Sequence, residues 1–361
     1  MTEKTDDDGS DANGVDGSAG GIGDGDDDGE LLFHVDGEVV PASEAAVNVQ
    51  DRGFLYGDAA FETMRAYGGE LFEWAAHATR LGDSCDVLGL DHGLADSDLR
   101  ERIDETLSAN GFDDAYVRLS ISRGVQPGKL TPGREVDPTV VVIVKPLPRG
   151  GRESESVFDG PATLQTVKTK RVPDAAIPAH AKTHNYLNGI LARLELRVTG
   201  ADEALMVDTD GYVTEGATSN LFFVRDNALR TPSLAGPILP GITRRVVLDL
   251  AREEGIPVEE GRYRPDDIRA ADEVFLTNST WELRPVERVD GLSMATDTVE
   301  DGASTDTVDD GALTDTVEDA DSDGTAGGAD TDATAASTAA GPITTLLSTL
   351  FDRRVEADCY R

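Results

Sequence analysis

The chain has 361 residues and a formal net charge of −38, from 70 acidic and 32 basic side chains. A protein this acidic repels phosphate groups, which argues against nucleic acid and anionic membranes as partners. Hydrophobic residues make up 39% of the chain, enough for sizeable cores, and the length predicts two domains of ordinary size. The two cysteines, Cys85 and Cys359, are far apart in the sequence, so neither a disulfide framework nor a metal site is indicated.

Two segments concentrate the acidic charge. Residues 1–30 hold eleven acidic residues and one lysine, and residues 295–341 hold thirteen acidic residues and no base. Both are nearly empty of aromatic residues, so they cannot bury enough apolar surface to offset the entropy lost on ordering. We predict a disordered acidic tail and a disordered acidic insertion before the last helix. The charge fits a halophilic protein, and the lack of an apolar span or a signal pattern predicts a cytoplasmic one.

The first predicted elements form a small α+β domain over residues 31–150. Near its start, "LLFHVDGEVVP" places an Asp-Gly turn between two apolar runs, which is typical of a β-hairpin. Apolar residues recur at helical spacing in "LFEWAAHATRLGDSCDVLGL", and a polar helix is predicted over residues 96–110. "AYVRLSISRG" and "TVVVIVKPLP" predict strands. A cluster of Pro and Gly at residues 146–151 ends this domain.

Residues 151–361 predict a larger, mixed α/β domain. Its strands are short and are separated by Asp-Gly and Gly turns, which is typical of antiparallel pairing. In chain order the predicted elements are a strand in "ATLQTVKTKRV", a helix over residues 185–199, several strands in "EALMVDTDGYVTEGATSNLFFVRDNALRTPS", a helix over residues 243–254, further strands in "GIPVEEGRY" and "ADEVFLTNSTWELRPVERVDG", and an amphipathic helix in "ITTLLSTLFDRRVE".

Three residues lie where they can carry chemistry. Lys182, in "HAKTHNYLNGIL", stands at a predicted strand-to-helix junction, and a lysine becomes a nucleophile where desolvation or nearby positive charge removes its proton. Glu215, in "VTEGATSNLFFV", can face a pocket. In "ILPGITRRVV" a loop opens a helix whose first N–H groups and Thr243 hydroxyl can bind an anion. Ordinary alternatives are a surface lysine, a strand-end acid and a helix cap.

Six stretches between Asp51 and Val286 stand out: "DRGFLYGDAAFETMRAY", "HATRL", "KTHNYLNGILARLE", "GYVTEGATSNLFF", "LPGITRRVVLDLA" and "EVFLTNSTWELRPV". They resemble the signature blocks of class IV aminotransferases, the fold-type IV pyridoxal phosphate enzymes. That family includes branched-chain and D-amino acid aminotransferases and 4-amino-4-deoxychorismate lyase. The resemblance implies the two-domain fold of D-amino acid aminotransferase, pyridoxal 5'-phosphate as cofactor, and a homodimer with the active site at its interface.

The resemblance also implies roles for individual residues toward the cofactor. Lys182 matches the catalytic lysine, which joins the cofactor aldehyde as a Schiff base and moves the substrate proton. Glu215 matches the acid that pairs with the pyridine nitrogen. The other matched cofactor-binding positions are Arg80, Ile242, Thr243 and Ser279 for the phosphate and Tyr186 as an aromatic lining residue.

Substrate-binding positions are predicted in the same way. Strand alternation places Tyr116 and Arg118 on one face, and a Tyr-x-Arg at this place lines the substrate side in branched-chain relatives. The alternative is an exposed strand with both side chains in solvent. Phe61 matches an aromatic wall of the side-chain pocket, and Thr280 lies next to Ser279, close to the substrate carboxylate.

The resemblance leaves more than one function open. The first is an aminotransferase that moves the amino group of a branched-chain or D-amino acid to a 2-oxo acid. The second is 4-amino-4-deoxychorismate lyase, which releases pyruvate and leaves 4-aminobenzoate for folate synthesis. The loop "FLYGDAAFETMR" departs from the branched-chain pattern and weakens a strict branched-chain assignment. A non-enzymatic binding protein ranks last, because the lysine, the acid and the phosphate residues are all present.

Overall fold

A computed structural model of the protein describes residues 29–149, 157–294 and 340–360. The two acidic segments predicted to be disordered lie outside the described residues, except for the last two residues of each. The predicted boundary at residues 150 and 151 also lies outside them, so the division into two domains stays a prediction. In the described parts of the chain, no helix is long and apolar enough to cross a membrane.

The amino-terminal half contains an antiparallel sheet of six strands. The strands are β1 Leu32–Val35, β2 Glu38–Pro41, β3 Ala59–Tyr67, β4 Glu70–Leu71, β5 Ala115–Ser122 and β6 Thr139–Pro146. Their order across the sheet is β2-β1-β6-β5-β3-β4. The helices of this half are α1 Arg52–Tyr56, α2 Trp74–Leu88 and α3 Asp96–Asn110. The apolar side chains of α2 and α3 pack with those of β3, β5 and β6 in one core.

The second sheet has nine strands and is mixed. The strands are β7 Ala162–Lys170, β8 Glu203–Val207, β9 Val213–Gly216, β10 Asn220–Arg225, β11 Ala228–Pro232, β12 Val258–Gly261, β13 Glu273–Asn278, β14 Glu282–Val289 and β15 Leu292–Ser293. They run in the order β12-β11-β10-β13-β14-β7-β8-β9, with β15 paired to β14. Three neighbouring pairs are parallel, namely β11 with β12, β14 with β7 and β7 with β8.

Helices cover the second sheet on both faces. They are α4 Leu187–Leu196, α5 Ile242–Glu253, α6 Pro265–Arg269 and α7 Pro342–Cys359. On β10, Phe222 and Val224 pack with side chains of α5 and α7, whereas Leu221 and Phe223 belong to a core on the other face. Because both faces are buried, "NLFFV" reads as a continuous apolar run without alternation.

The two sheets are joined close to Lys182. The lysine carbonyl accepts a hydrogen bond from Phe61 N at 3.0 Å, and Ala59 O accepts one from His184 N at 2.9 Å. Thr183 and Ala60 thereby form an antiparallel bridge. This short segment after β7 is therefore fixed against β3, the strand that carries Phe61.

Most of the predicted elements are confirmed. The hairpin turns at Asp36 and Gly37, whose φ values of 49° and 101° suit a two-residue turn of this kind. The polar helix has the predicted bounds 96–110, and the strands and the closing helix occur where they were expected. The helix predicted over 185–199 is shorter, covering only Leu187–Leu196. The strand β3 and the short helices α1 and α6 were not predicted.

Candidate active site

A cavity of about 370 Å³ lies where the two sheets meet. Side chains of β3 and β5 line it from the first sheet, and those of β9, β13 and the start of α5 line it from the second. Every residue singled out from the sequence lines this cavity: Phe61, Arg80, Tyr116, Arg118, Lys182, Tyr186, Glu215, Ile242, Thr243, Ser279 and Thr280.

Lys182 points its amine into a pocket of aromatic rings. Its Nζ donates a hydrogen bond to the Tyr186 hydroxyl at 3.1 Å and lies 4.5 Å from the centroid of the Phe61 ring. Its backbone is fixed as well, because Lys182 N donates to Ser84 Oγ at 2.9 Å. The alternative of a surface lysine is therefore wrong. An amine held by a hydroxyl and apolar rings can act as a nucleophile or as a base.

Glu215 is buried at the end of β9 and is paired on both carboxylate oxygens. Oε1 accepts from Arg171 Nε at 2.8 Å, and Oε2 accepts from Leu239 N at 3.0 Å and from Asn220 Nδ2 at 3.4 Å. Burial raises the pKa of Glu215 above its usual value, against the opposing charge of Arg171. A carboxylate has about four acceptor positions, so Glu215 can still receive one further donor from the cavity.

Arg80 is only 7% exposed and is oriented by a carboxylate of β3. Its Nε and Nη2 donate to the two oxygens of Glu62 at 2.8 and 2.6 Å, and Nη1 donates to Pro240 O at 2.9 Å. His77 contacts Glu62 from the other side at 2.7 Å. Since a guanidinium has five N–H donors, Arg80 keeps two that can bind an anion in the cavity.

The start of α5 provides further donors. Gly241 is its N-cap residue, so the N–H groups of Ile242 and Thr243 have no acceptor within the helix. The interpretation of Thr243 as an ordinary helix cap is therefore wrong. On the neighbouring strand β13, the buried Thr277 Oγ1 lines the cavity and has no hydrogen-bond partner among the described residues. These groups form a cradle suited to a phosphate.

The opposite part of the cavity combines an aromatic wall with a cation. The Arg118 guanidinium stacks 3.8 Å from the centroid of the Phe61 ring, and Tyr116 lies two residues earlier on β5. Both β5 side chains line the cavity, so the alternative of an exposed strand is wrong. Among the described residues, no carboxylate lies within ion-pair distance of Arg118. This part can receive an anionic group next to an apolar one.

His184 is a polar member of the same wall. Its ring meets Phe61 edge-on at 5.5 Å, and Nε2 lies 3.2 Å from Ser120 Oγ. Burial, and then the charge of Arg118, lower the pKa of His184 to about 4. The imidazole is therefore neutral near pH 7.

Several residues that shape the candidate site were missed from the sequence: Glu62, Arg171, His184, Asn220 and Thr277. Glu62 and Arg171 act through partners farther along the chain; Arg171, for example, pairs with Glu215, 44 residues later. Glu62 carried a weak signal, because an acidic residue in the middle of an apolar strand needs a buried partner.

Comparisons with known proteins indicate one family for this chain. Residues 59–289 match the family Amino-transferase class IV. The chain is 39% identical over 261 residues to a protein of Methanocaldococcus jannaschii that carries the provisional name branched-chain-amino-acid aminotransferase, covering 72% of this chain and 88% of that one. It is 31% identical over 267 residues to the D-alanine aminotransferase of Bacillus licheniformis, covering 74% and 90%.

A solved structure shows the same fold. The T.th. branched-chain amino acid aminotransferase with pyridoxamine 5'-phosphate superposes with a TM-score of 0.68 at 33% identity, covering 74% of this chain and 88% of that one. The chain therefore belongs to the class IV aminotransferases, which are pyridoxal phosphate enzymes.

The residues of the cavity fit this cofactor. Its phosphate matches the donors of α5 and Arg80 and the unpartnered Thr277 hydroxyl, and its basic ring nitrogen matches the buried acid Glu215. Its aldehyde matches the Lys182 amine. At the start of α5 the packing is tight, since a Cβ on Gly241 would lie 1.9 Å from Asn220 Oδ1.

Proposed function

We propose that the protein transfers the amino group of a branched-chain or D-amino acid to a 2-oxo acid, with Lys182 as the catalytic residue. The single observation that carries the proposal is that Lys182 and Glu215 line one cavity with the donors at the start of α5. Pyridoxal 5'-phosphate, when bound, supplies an aldehyde that condenses with amines and a ring that accepts the electrons released at the substrate Cα.

The proposed chemistry of the chain is proton transfer and positioning. With the cofactor bound, Lys182 Nζ would take the proton from the substrate Cα and hold it for return. The Tyr186 hydroxyl, 3.1 Å away, positions this amine. Glu215 keeps the ring nitrogen protonated, and Arg171 holds Glu215 in place. Arg80, Ile242, Thr243 and Ser279 bind the phosphate, as proposed from their positions in the cavity.

The substrate groups are assigned to the other half of the cavity. Arg118, with Tyr116 beside it, receives a carboxylate, because it is the cation there that has no acidic partner among the described residues. Thr280, next to the phosphate donors, also faces the substrate carboxylate. Phe61 forms the wall against an apolar substrate side chain. Branched-chain and D-amino acid substrates both satisfy this arrangement, and both names occur among the relatives.

One assay separates transfer from the lyase reaction. Cofactor-loaded enzyme is given L-leucine or D-alanine with 2-oxoglutarate, and glutamate is measured. Separate samples receive 4-amino-4-deoxychorismate, and pyruvate and 4-aminobenzoate are measured. We expect glutamate with at least one amino acid and only in the presence of 2-oxoglutarate. Pyruvate and 4-aminobenzoate formed without any oxo acid, together with no glutamate, would show that the enzyme is a lyase.

We also propose that the enzyme is a homodimer. The outer face of α4 exposes apolar residues, including Leu187 at 60% and Ile190 at 54%, and α1 exposes Phe54 at 72%. The two helices are neighbours, since a Cβ on Gly57 at the end of α1 would lie 3.6 Å from Asn185 N. Ile190 also lines the cavity. A second copy that covers this face would bury the apolar patch beside the cavity mouth.

Light scattering coupled to gel filtration tests the dimer. The variant with both Leu191→Glu and Leu194→Glu places two charges on the exposed face of α4 and is expected to elute as a monomer. Val87→Glu changes a comparably exposed apolar residue on α2, at 40% exposure, and is the matched control. A monomeric wild-type protein would contradict the proposal.

A further inference from the structure

One face of β3 continues from the cavity into a buried ionic cluster. Side chains alternate along a strand, so Phe61, Thr63, Arg65 and Tyr67 share a face. Phe61 and Thr63 line the cavity. Arg65 is 2% exposed and Tyr67 is 1% exposed, just beyond the cavity. The contacts of Arg65 therefore affect how the second sheet packs against this face of β3.

Arg65 joins two parts of the chain that are far apart in sequence. Its Nη1 donates to Glu282 Oε1 at 3.0 Å, at the start of β14, and to Thr280 O at 3.4 Å, in the connection between β13 and β14. Its Nη2 donates to Pro148 O at 2.8 Å and to Leu147 O at 3.3 Å, just after β6. A planar guanidinium makes these contacts in one fixed geometry, which a lysine cannot reproduce.

Glu282 is held in an unusual conformation by the same cluster. Its φ of +58° is in the left-handed region, which a non-glycine residue adopts only where its surroundings enforce it. Tyr67 Oη donates to Glu282 Oε1 at 2.6 Å. Burial raises the pKa of Glu282, and the charge of Arg65 opposes this. The carboxylate is thus fixed by two donors from β3.

Ser279 and Thr280 lie in the connection that leads from β13 to Glu282. Asn278 closes this connection from its start, because its Oδ1 accepts from Thr280 N at 3.0 Å and from Trp281 N at 2.7 Å. At its far end, Arg65 contacts the Thr280 carbonyl and the Glu282 side chain. Ser279 and Thr280, which line the cavity, therefore lie between the Asn278 hydrogen bonds and the Arg65 contacts.

We propose that Arg65 is a positioning residue that, with Tyr67 and Glu282, fixes the Ser279–Thr280 segment against β3 so that the Ser279 hydroxyl meets the cofactor phosphate. The inference rests on the proposed function, because it assumes that Ser279 binds the phosphate. It predicts that loss of the cluster weakens recognition of the phosphate itself and not merely the stability of the fold.

The test compares two ligands that differ only in the phosphate. Cofactor-free protein is titrated with pyridoxal 5'-phosphate and with pyridoxal, and the two Kd values are obtained from absorbance. Dividing the pyridoxal value by the phosphate value gives the phosphate preference of each variant. We expect this preference to fall about tenfold in Arg65→Met, since a displaced hydrogen bond to a charged group has an effect of about this size. Arg65→Lys and Tyr67→Phe should lower it by smaller factors.

The chain offers a matched control for the tyrosine. Tyr360 Oη donates to Asp114 Oδ1 at 2.6 Å, the same distance as between Tyr67 and Glu282, and joins the end of α7 to the first sheet without touching the Ser279–Thr280 segment. Tyr360→Phe is expected to leave the phosphate preference unchanged. Thermal unfolding of every variant shows which of them fold.

The outcomes separate the two levels of the proposal. A wild-type protein that binds both ligands equally would contradict the phosphate site, and with it the proposed function. A wild-type preference that persists unchanged in Arg65→Lys, Arg65→Met and Tyr67→Phe would contradict the role of Arg65 alone. Equal weakening of both ligands would show a purely structural role and also contradict it. If Arg65→Met does not fold, the two milder variants decide.

Discussion

Glu62 shows how a residue that touches no ligand prepares one that does. Its carboxylate is buried, and burial alone would raise its pKa from 4.5, but the charge and hydrogen bonds of Arg80, with those of His77, lower it to about 2. The ionised carboxylate holds two of the guanidinium donors and leaves others for the cavity. Arg80 is thus oriented before a phosphate arrives, which reduces the entropy lost on binding.

Glu62→Gln should weaken both the fold and cofactor binding. Removing one partner of a buried pair leaves an uncompensated charge, so we expect the free energy of unfolding to fall by about 3 kcal/mol above pH 4.5. Because the pKa of Glu62 is lower in the folded state, its contribution is lost as the pH falls from 4.5 toward 2. The difference between wild type and variant should shrink over that range. Denaturant unfolding at several pH values measures it, and a constant difference would contradict this interpretation.

His184 gives a second test at the residue scale. Its pKa of about 4 in the folded state is below the ordinary value of 6.5, so the unfolded chain binds the proton more readily. The stability that it contributes is complete above pH 6.5 and is lost as the pH falls toward 4, by up to about 1.4 kcal/mol per pH unit. His184→Gln should lose less stability than wild type between these values. Identical slopes for the two proteins would exclude the buried neutral imidazole.

At the scale of elements, the start of α5 requires a residue without a side chain at its N-cap, Gly241. Gly241 has φ −63°, which any residue adopts, so the constraint is space and not backbone freedom. A Cβ there would lie 1.9 Å from Asn220 Oδ1, and Asn220 also contacts Glu215. A methyl group would therefore shift the first turn of the helix, the asparagine, or both.

Gly241→Ala should raise the Kd for pyridoxal 5'-phosphate at least about tenfold and destabilise the fold by about 1–3 kcal/mol through overpacking. Gly82→Ala is the matched control, because Gly82 lies inside α2 with no atom within 4 Å of an added Cβ. That change should stabilise the helix by about 0.5–1 kcal/mol. Absorbance titration and thermal unfolding measure both effects. Unchanged cofactor affinity in Gly241→Ala would contradict the proposed phosphate cradle.

Elements with a regular pattern could be predicted from the sequence, and elements without one could not. Helix α3 shows a polar face and a buried face, so its bounds were found from spacing. Strand β3 has nearly every residue buried, including the charged residues Glu62 and Arg65, and so lacks the alternation that marks a strand. Helix α1 has only five residues, too few for a period.

The candidate site divides in the same way. Lys182 and Glu215 lie in stretches that resemble family blocks and could be predicted. Arg171 and Glu62 could not, because their role is to hold Glu215 and Arg80, and such pairing depends on the folded distance between residues far apart in the chain.

At the scale of the whole molecule, charge is the dominant property. The net charge of −38 includes about −15 outside the two acidic segments, so the rest of the chain also carries an excess of like charge. Like charges destabilise a compact state through repulsion, and salt screens them over a Debye length of about 10 Å at 0.1 M and 3 Å at 1 M. Salt should therefore stabilise this protein by weakening the repulsion.

We expect the Tm to rise when potassium chloride is increased from about 0.1 M to about 1 M. Differential scanning calorimetry at fixed pH measures the change. The Glu62→Gln variant serves for comparison, because the ion pair that it lacks, between Glu62 and Arg80, is buried and little screened by salt. Its Tm should therefore rise in parallel with that of the wild type. A Tm that is constant or falls with salt would contradict the repulsion model.

Chemical reduction can identify the lysine that holds the cofactor. The cofactor-loaded protein is treated with sodium borohydride, which reduces the bond between the aldehyde carbon and the lysine nitrogen and makes the attachment permanent. Peptide mass mapping then identifies the modified residue, with the exposed Lys168→Ala as a control variant and Lys182→Ala as the test variant. We predict a pyridoxyl group on Lys182 in wild type and Lys168→Ala, and none in Lys182→Ala. A pyridoxyl group on another lysine in any of the three proteins, or no group in the wild type, would contradict this prediction.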